Sequence, residues 1–295
     1  MCYDKNMDNK LIIKNIIKSI VVILAVITVV EVISFMMLKS NDKNFHYSFG
    51  GRSFDSSYKS GEFYKNFRPV ENITDKRGSI ILFGSDMACG VGVKDDQTMS
   101  HILAKLSGRT IYNRAIPVWG LQHMYYQLTN DSFPSKINVD PEYIIYTVAP
   151  DNYNRLFFDS STNDPYYLTY SVKDGKLVKN KDSVFNRFLA VCLSKQMQAK
   201  NNYDENLIDF YILESQKAAK KLYPNVKFVV LSFSNIDGLN NDDILTDNGI
   251  QVIDVPETSG TQPIYKLKEY WADDSAHPSE KYWYLVLPSV IKKLK

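Results

Sequence analysis

Hydrophobic and polar residues alternate in two different ways along the chain, and the pattern changes near residue 78. Residues 20–38 form one apolar run interrupted only by Thr28, Glu31 and Ser34. As a helix that run would be about 28 Å long, close to the hydrocarbon thickness of a bilayer. From residue 78 onward, short apolar runs alternate with stretches of helical spacing. The strand-like runs are SIILF at 79–83, residues 110–112, YIIYTV at 143–148, KFVVLSF within 225–233, and residues 251–255. Between and after them the spacing predicts helices over 99–106, closed by Gly108, over 121–128, and over 279–294. Pro288 should kink or split the last of these. Strands alternating with helices predict an α/β domain with a mostly parallel five-stranded sheet, covered on both faces. Ligands of such sheets gather at the carboxyl ends of the strands.

An insertion at about 153–222 separates the third and fourth strands. Its part from 166 to 179 reads as a hairpin around Asp174–Gly175, a favoured two-residue turn. The rest, 183–222, reads as two helical stretches broken near Asn201 and Asn202. Residues 39–77 are polar, mixed in charge and without periodicity, which fits a membrane-proximal spacer.

Charge decides the orientation of the apolar run. Lys5, Lys10, Lys14 and Lys18 precede it, whereas Lys39, Asp42 and Lys43 follow. This asymmetry predicts a cytoplasmic tail over 1–19, a transmembrane helix over 20–38, and a C-terminal domain, 78–295, outside the cell membrane. A cleaved signal peptide is the rival reading, but the run is long for one and no small-residue cleavage site follows Leu38. Glu31 within the run reads as a mark of a partner helix or a proton site, or as a lone protonated or snorkelling carboxyl; the latter is the simpler account.

Composition removes several function classes. The net charge of +2 gives no electrostatic case for nucleic acid. No zinc-type Cys/His spacing and no phosphate-cradling glycine loop is present, so neither metal nor cofactor is expected. Cys2, Cys89 and Cys192 have unrelated spacings; a Cys89–Cys192 bridge stays open, as does Cys89 as a buried small apolar residue.

Four segments in order carry candidate chemistry: IILFGSDMACGVGV at 80–93, YNRAIPVWG at 112–120, YIIYTVAPDN at 143–152, and DSAHP at 274–278. Together they resemble the four blocks of SGNH/GDSL hydrolases, and look closest to a membrane-anchored bacterial branch whose third block ends in Pro-Asp. The resemblance spans about 78–295, leaving out the insertion. It implies a flavodoxin-like three-layer sandwich and an acyl-ester hydrolase or acyltransferase. In that family a Ser after the first strand attacks an acyl carbonyl, a closing His takes its proton, and an Asp orients the His. Carried onto this chain, His277 would be the base and Asp274 its orienter. Ala115 would supply an oxyanion N–H, and Asp151 or Asn152 would stand for the family's Asn.

The first block departs from that pattern. Aligned on Gly90 and Gly92, it puts Asp86 at the nucleophile position and Ser85 one residue early. A carboxylate has no proton for His277 to remove, so the swap describes a disabled esterase unless the loop shifts by one residue. Plainer readings stand beside these. His277 is a helix-start residue with Pro278 at N1; Asp151 and Asn152 form a turn; His101 and His123 pack on helices. Trp119 and Tyr153 are either buried aromatics or sugar-stacking rings, and Lys217, Lys220 and Lys221 a solvated helix end. Beside a tethered structural domain whose pocket is vestigial, the resemblance leaves two functions open. One is an envelope enzyme acting on an acylated surface glycan. The other is an impaired relative that binds such a glycan or a membrane partner.

Overall fold

The computed structural model describes residues 14–23, 25, 26, 28, 29, 32, 46–49, 52–55, 78–116, 119–130, 139–149, 170–179, 205–233, 243–272 and 277–294. A small antiparallel pair, β1 (His46–Phe49) and β2 (Arg52–Asp55), precedes the main domain. The domain is built on β3 (Ser79–Phe83), β4 (Ile111–Asn113), β5 (Pro141–Val148), β8 (Lys227–Ser232) and β9 (Gln251–Asp254). They form one sheet in the order β4-β3-β5-β8-β9, every pair parallel. Renumbered along the domain this is 2-1-3-4-5, the flavodoxin-like order, whose switch point lies between the first and third strands. Here that crevice falls between β3 and β5.

Helices cover both faces, because alternate strand residues point to opposite sides and both sides are apolar. Ile81, Phe83, Ile144, Tyr146, Phe228 and Val230 face one layer, with α3 (Leu121–Thr129), α4 (Glu205–Leu222) and α5 (Asp243–Asp247). Their neighbours Ile80, Leu82, Tyr143, Ile145, Val229 and Leu231 face the other, with α2 (Met99–Ser107), α6 (Val255–Ser259) and α7 (Glu280–Lys293). Thr98 caps α2, its hydroxyl accepting the His101 N–H at 3.2 Å. A one-turn helix, α1 (Asp86–Cys89), directly follows β3.

Several boundaries differ from the sequence reading. The second strand lies at 111–113 rather than 110–112, set by its pairing with Ile80–Leu82. The fifth ends at Asp254, whose side chain accepts the Glu257 N–H at 2.8 Å and so starts α6. α7 runs through Pro288 as one helix. Pro288 and Tyr284 both lie on its exposed side, where water can satisfy the freed carbonyl. The hairpin is present as β6 (Tyr170–Lys173) and β7 (Lys176–Lys179), with Asp174 and Gly175 at φ 50° and 68°. The expected break near Asn201 and Asn202, and the helical stretch before it, lie outside the described residues.

At the N-terminus, residues 14–23 are helical, as are 25, 26, 28, 29 and 32, and all of them are exposed. Among the described residues no helix is long and apolar enough to cross a membrane.

Candidate functional site

The loop leaving β3 is shaped by close contacts. Gly84 has φ 156°, and a Cβ there would lie 2.0 Å from Thr147 Oγ1 and 2.8 Å from Ala88 Cβ. No side chain fits between β3 and β5 at that point. Ser85 follows as the N-cap of α1, 5% exposed, and its carbonyl accepts the Cys89 N–H at 2.9 Å. Asp86 opens the helical turn and is less deeply buried. Its carbonyl accepts the N–H groups of Gly90 at 2.9 Å and Val91 at 3.0 Å, which closes the turn. Ser85 and Asp86 are therefore consecutive residues of a turn rather than of a strand end, and the strict alternation of strand side chains does not separate them.

The segment after β4 packs against this loop. Ile116 N–H donates to Gly84 O at 3.1 Å, and Arg114 N–H to Leu82 O at 2.7 Å. The Ala115 N–H, expected as an oxyanion donor, donates to Asn113 Oδ1 at 3.0 Å. Asn113 Nδ2 reaches back to Ala88 O at 2.8 Å, tying β4 to α1.

His277 lies three residues before α7, in a short antiparallel clip. Ala272 N–H donates to His277 O at 2.7 Å, Ser279 N–H donates to Tyr270 O at 2.8 Å, and Trp271 bridges Pro278. The helix begins only at Glu280, with Ser279 as its cap, so Pro278 is not at N1. Two contacts fix which end of the sheet this is. The Tyr282 ring lies 6.4 Å from that of Phe233, just past the end of β8. The other end of α7 reaches the start of β9, where Gln251 Nε2 donates to Lys293 O at 2.9 Å. His277 thus precedes a helix whose first turn sits at the carboxyl end of the sheet, the end at which β3 delivers Ser85 and Asp86. Asp274, Asp151, Asn152 and Tyr153 lie outside the described residues.

Other candidates resolve into packing. Cys89 is fully buried as a small apolar residue of the core, and Cys192 lies outside the described residues. His123 stacks on Trp119 with centroids 4.6 Å apart, both buried, and its Nδ1 accepts the Gly120 N–H at 3.1 Å. Trp119 is therefore a packing ring rather than an open platform. Lys217, Lys220 and Lys221 are exposed or nearly so at the end of α4, and Lys217 pairs with Glu214 at 2.7 Å. Among the described residues no group of three His, Cys, Asp or Glu side chains could hold a metal ion. Sequence reasoning passed over Asn113 and Thr147, both of which shape the loop; an Asn ending an otherwise apolar strand was the available signal.

No known family profile matches the chain, and no curated protein sequence matches it. Solved structures do. One is an acetyl xylan esterase from the rumen bacterium Butyrivibrio proteoclasticus, at 12% identity and TM-score 0.45, covering 76% of this chain and 65% of that one. A GDSL-like lipase from Parabacteroides merdae matches at 15% identity and TM-score 0.43, covering 77% of this chain and 100% of that one. A family two carbohydrate esterase from Clostridium thermocellum matches at 13% identity and TM-score 0.41, covering 75% and 65%. The chain spans about two thirds of the length of the first and third of these proteins. At such identities and scores the likenesses assign no activity to it.

Proposed function

We propose that this chain is an SGNH/GDSL-like acyl-ester hydrolase or acyltransferase that works on an acylated glycan of the cell envelope. The observation that carries the reading is the loop Gly84-Ser85-Asp86 at the β3–β5 switch point, with the His277 segment at the same end of the sheet. In this reading the Ser85 hydroxyl adds to the acyl carbonyl while His277 takes its proton. The tetrahedral intermediate expels the sugar oxygen, which receives that proton. Water, or a second hydroxyl in a transferase, then releases the acyl group by the same steps in reverse. Asp274 would orient His277, and Asp151 or Asn152 would help hold the oxyanion.

A second reading is a catalytically impaired domain that binds an acylated glycan or an envelope-assembly partner. It is favoured by Asp86 at the nucleophile position and by the Ala115 N–H, which would have to leave Asn113 before it could hold an oxyanion. Membrane attachment through residues 20–38 belongs to both readings. Its support is the N-terminal helical stretch, where Ile16, Ile17, Ile20, Val21, Val22, Ile23, Val26, Val29 and Val32 are all exposed. A helix apolar on all sides needs an apolar surrounding.

Hydrolysis of p-nitrophenyl acetate separates the readings. An active wild type that is silenced by Ser85→Ala and by His277→Ala supports the enzyme. A silent wild type, with activity gained in the double change Ser85→Asp and Asp86→Ser and lost again on adding His277→Ala, supports the impaired domain. A positioned nucleophile and base supply several orders of magnitude in rate, so even a poorly tuned restoration is measurable. Protease added to spheroplasts should digest the C-terminal domain; full protection would reverse the topology.

A further inference from the structure

Asn113 ends β4 and is 2% exposed, and its carboxamide reaches three separate elements. Nδ2 donates to Ala88 O in α1 at 2.8 Å and to Ser100 Oγ in α2 at 3.1 Å. Oδ1 accepts the Ala115 N–H of the following segment at 3.0 Å. This orientation is forced. The Ala88 carbonyl can only accept and the Ala115 N–H can only donate, so a flipped amide would oppose like groups on both sides. Ser100 Oγ is itself hydrogen-bonded to Thr98 Oγ1 at 3.1 Å, which links the network to the cap of α2.

α1 has four residues, too few to sustain a helical turn by its own hydrogen bonds. Its shape is set by what it is tied to. The Gly84–Thr147 approach fixes its entry, and the Asn113 carboxamide holds its carbonyl at Ala88. We propose that Asn113 is a positioning residue of the candidate site: it sets the turn that carries Ser85 and Asp86 and holds the Ala115 amide beside it. The proposal rests on the esterase reading only for the use made of the loop.

Amide hydrogen exchange on the full-length chain tests it without relying on activity. In Asn113→Ala, protection of the Cys89, Gly90 and Val91 amides should fall about tenfold or more beyond any change at Ile145 and Tyr146, which report the sheet. Asn113→Asp preserves the shape and the Ala115 bond but turns an oxygen toward Ala88 O. It should loosen the same amides at neutral pH and restore them in acid, where the carboxyl can donate. Ser100→Ala removes one bond of the three and should loosen them by about threefold. It decides the matter if neither Asn113 variant folds. A uniform loss across α1 and β5, or unchanged α1 amides in Asn113→Asp or Ser100→Ala, would overturn the proposal. If the wild type hydrolyses p-nitrophenyl acetate, the Asn113 changes should lower kcat while KM stays within about twofold. A silent wild type would count against the esterase reading and leave the exchange result to judge Asn113.

Discussion

The two ends of the central sheet are built on different principles. At the amino end the charged groups are paired. Arg109 forms an ion pair with Glu142, whose other oxygen lies 3.9 Å from Lys227 Nζ. The two cations stand over the buried Tyr143 ring, at 5.0 and 5.2 Å from its centroid. At the carboxyl end, buried polar atoms are left over. Among the described residues, Ser279 Oγ, Tyr282 Oη and Trp283 Nε1, on the cap and first turn of α7, find no hydrogen-bond partner. Unsatisfied buried groups cost stability, and folds tolerate them where something other than stability is selected. The amino end pairs its charges; the carboxyl end, to which β3 delivers Ser85 and Asp86, carries polar atoms of α7 that have no partner among the described residues.

The sharpest way to break this contrast is Gly84→Ala. A Cβ only 2.0 Å from Thr147 Oγ1, at a positive φ, should cost about 3 kcal/mol through overpacking and backbone strain. A urea midpoint little different from wild type would show that the loop has room for a Cβ. Adding Thr147→Ala should recover part of the loss by removing the nearest atom.

A smaller effect of opposite sign is expected for Tyr282→Phe. Burial pushes the Tyr282 hydroxyl pKa well above its ordinary value, and no partner among the described residues satisfies it. Its removal should leave stability unchanged or raise it by up to about 1 kcal/mol. A clear loss in thermal denaturation would mean that the hydroxyl has a partner in solution, and the left-over character of this end would fail.

The smallest effect is expected at the other end. Glu142→Gln should cost about 0.5 kcal/mol at neutral pH, because Arg109 and Glu142 are partly exposed, at 16% and 34%. The hydrogen bond from Arg109 holds the Glu142 carboxyl below its ordinary pKa, so its contribution is full above the unfolded value and fades as pH falls through the lowered folded value. Urea midpoints at pH 7 and pH 3 should therefore converge between wild type and Glu142→Gln. A difference that grows in acid would contradict this sign.

The sheet itself was legible because runs such as SIILF and YIIYTV are apolar on both faces, which only a covered parallel strand requires. The hairpin was legible from Asp174–Gly175 between two strand-like runs. What escaped was short or non-local. α1, α5 and α6 have four or five residues each, too few for a periodic signal. The continuity of α7 depended on which side Pro288 faces, a property of packing and not of spacing. In the candidate site, Ser85, Asp86 and His277 were found by their order along the chain. The engagement of Ala115 by Asn113 was not, because nothing in the spacing of two residues says where a carboxamide will turn.

The lengths of the outer strands carry a further consequence. β4 has three residues and β9 four, while β5 at the centre has eight. An outer strand displays a row of unpaired N–H and C=O groups on which another chain can add, and the number of bonds on offer scales with its length. Here each margin offers so few that a stray strand gains little by pairing there. The long, apolar β5 would be the dangerous template, and it is enclosed by β3 on one side and β8 on the other. Crowded against its neighbours at high local concentration, such a domain should resist sheet-to-sheet aggregation for as long as its central strand stays enclosed.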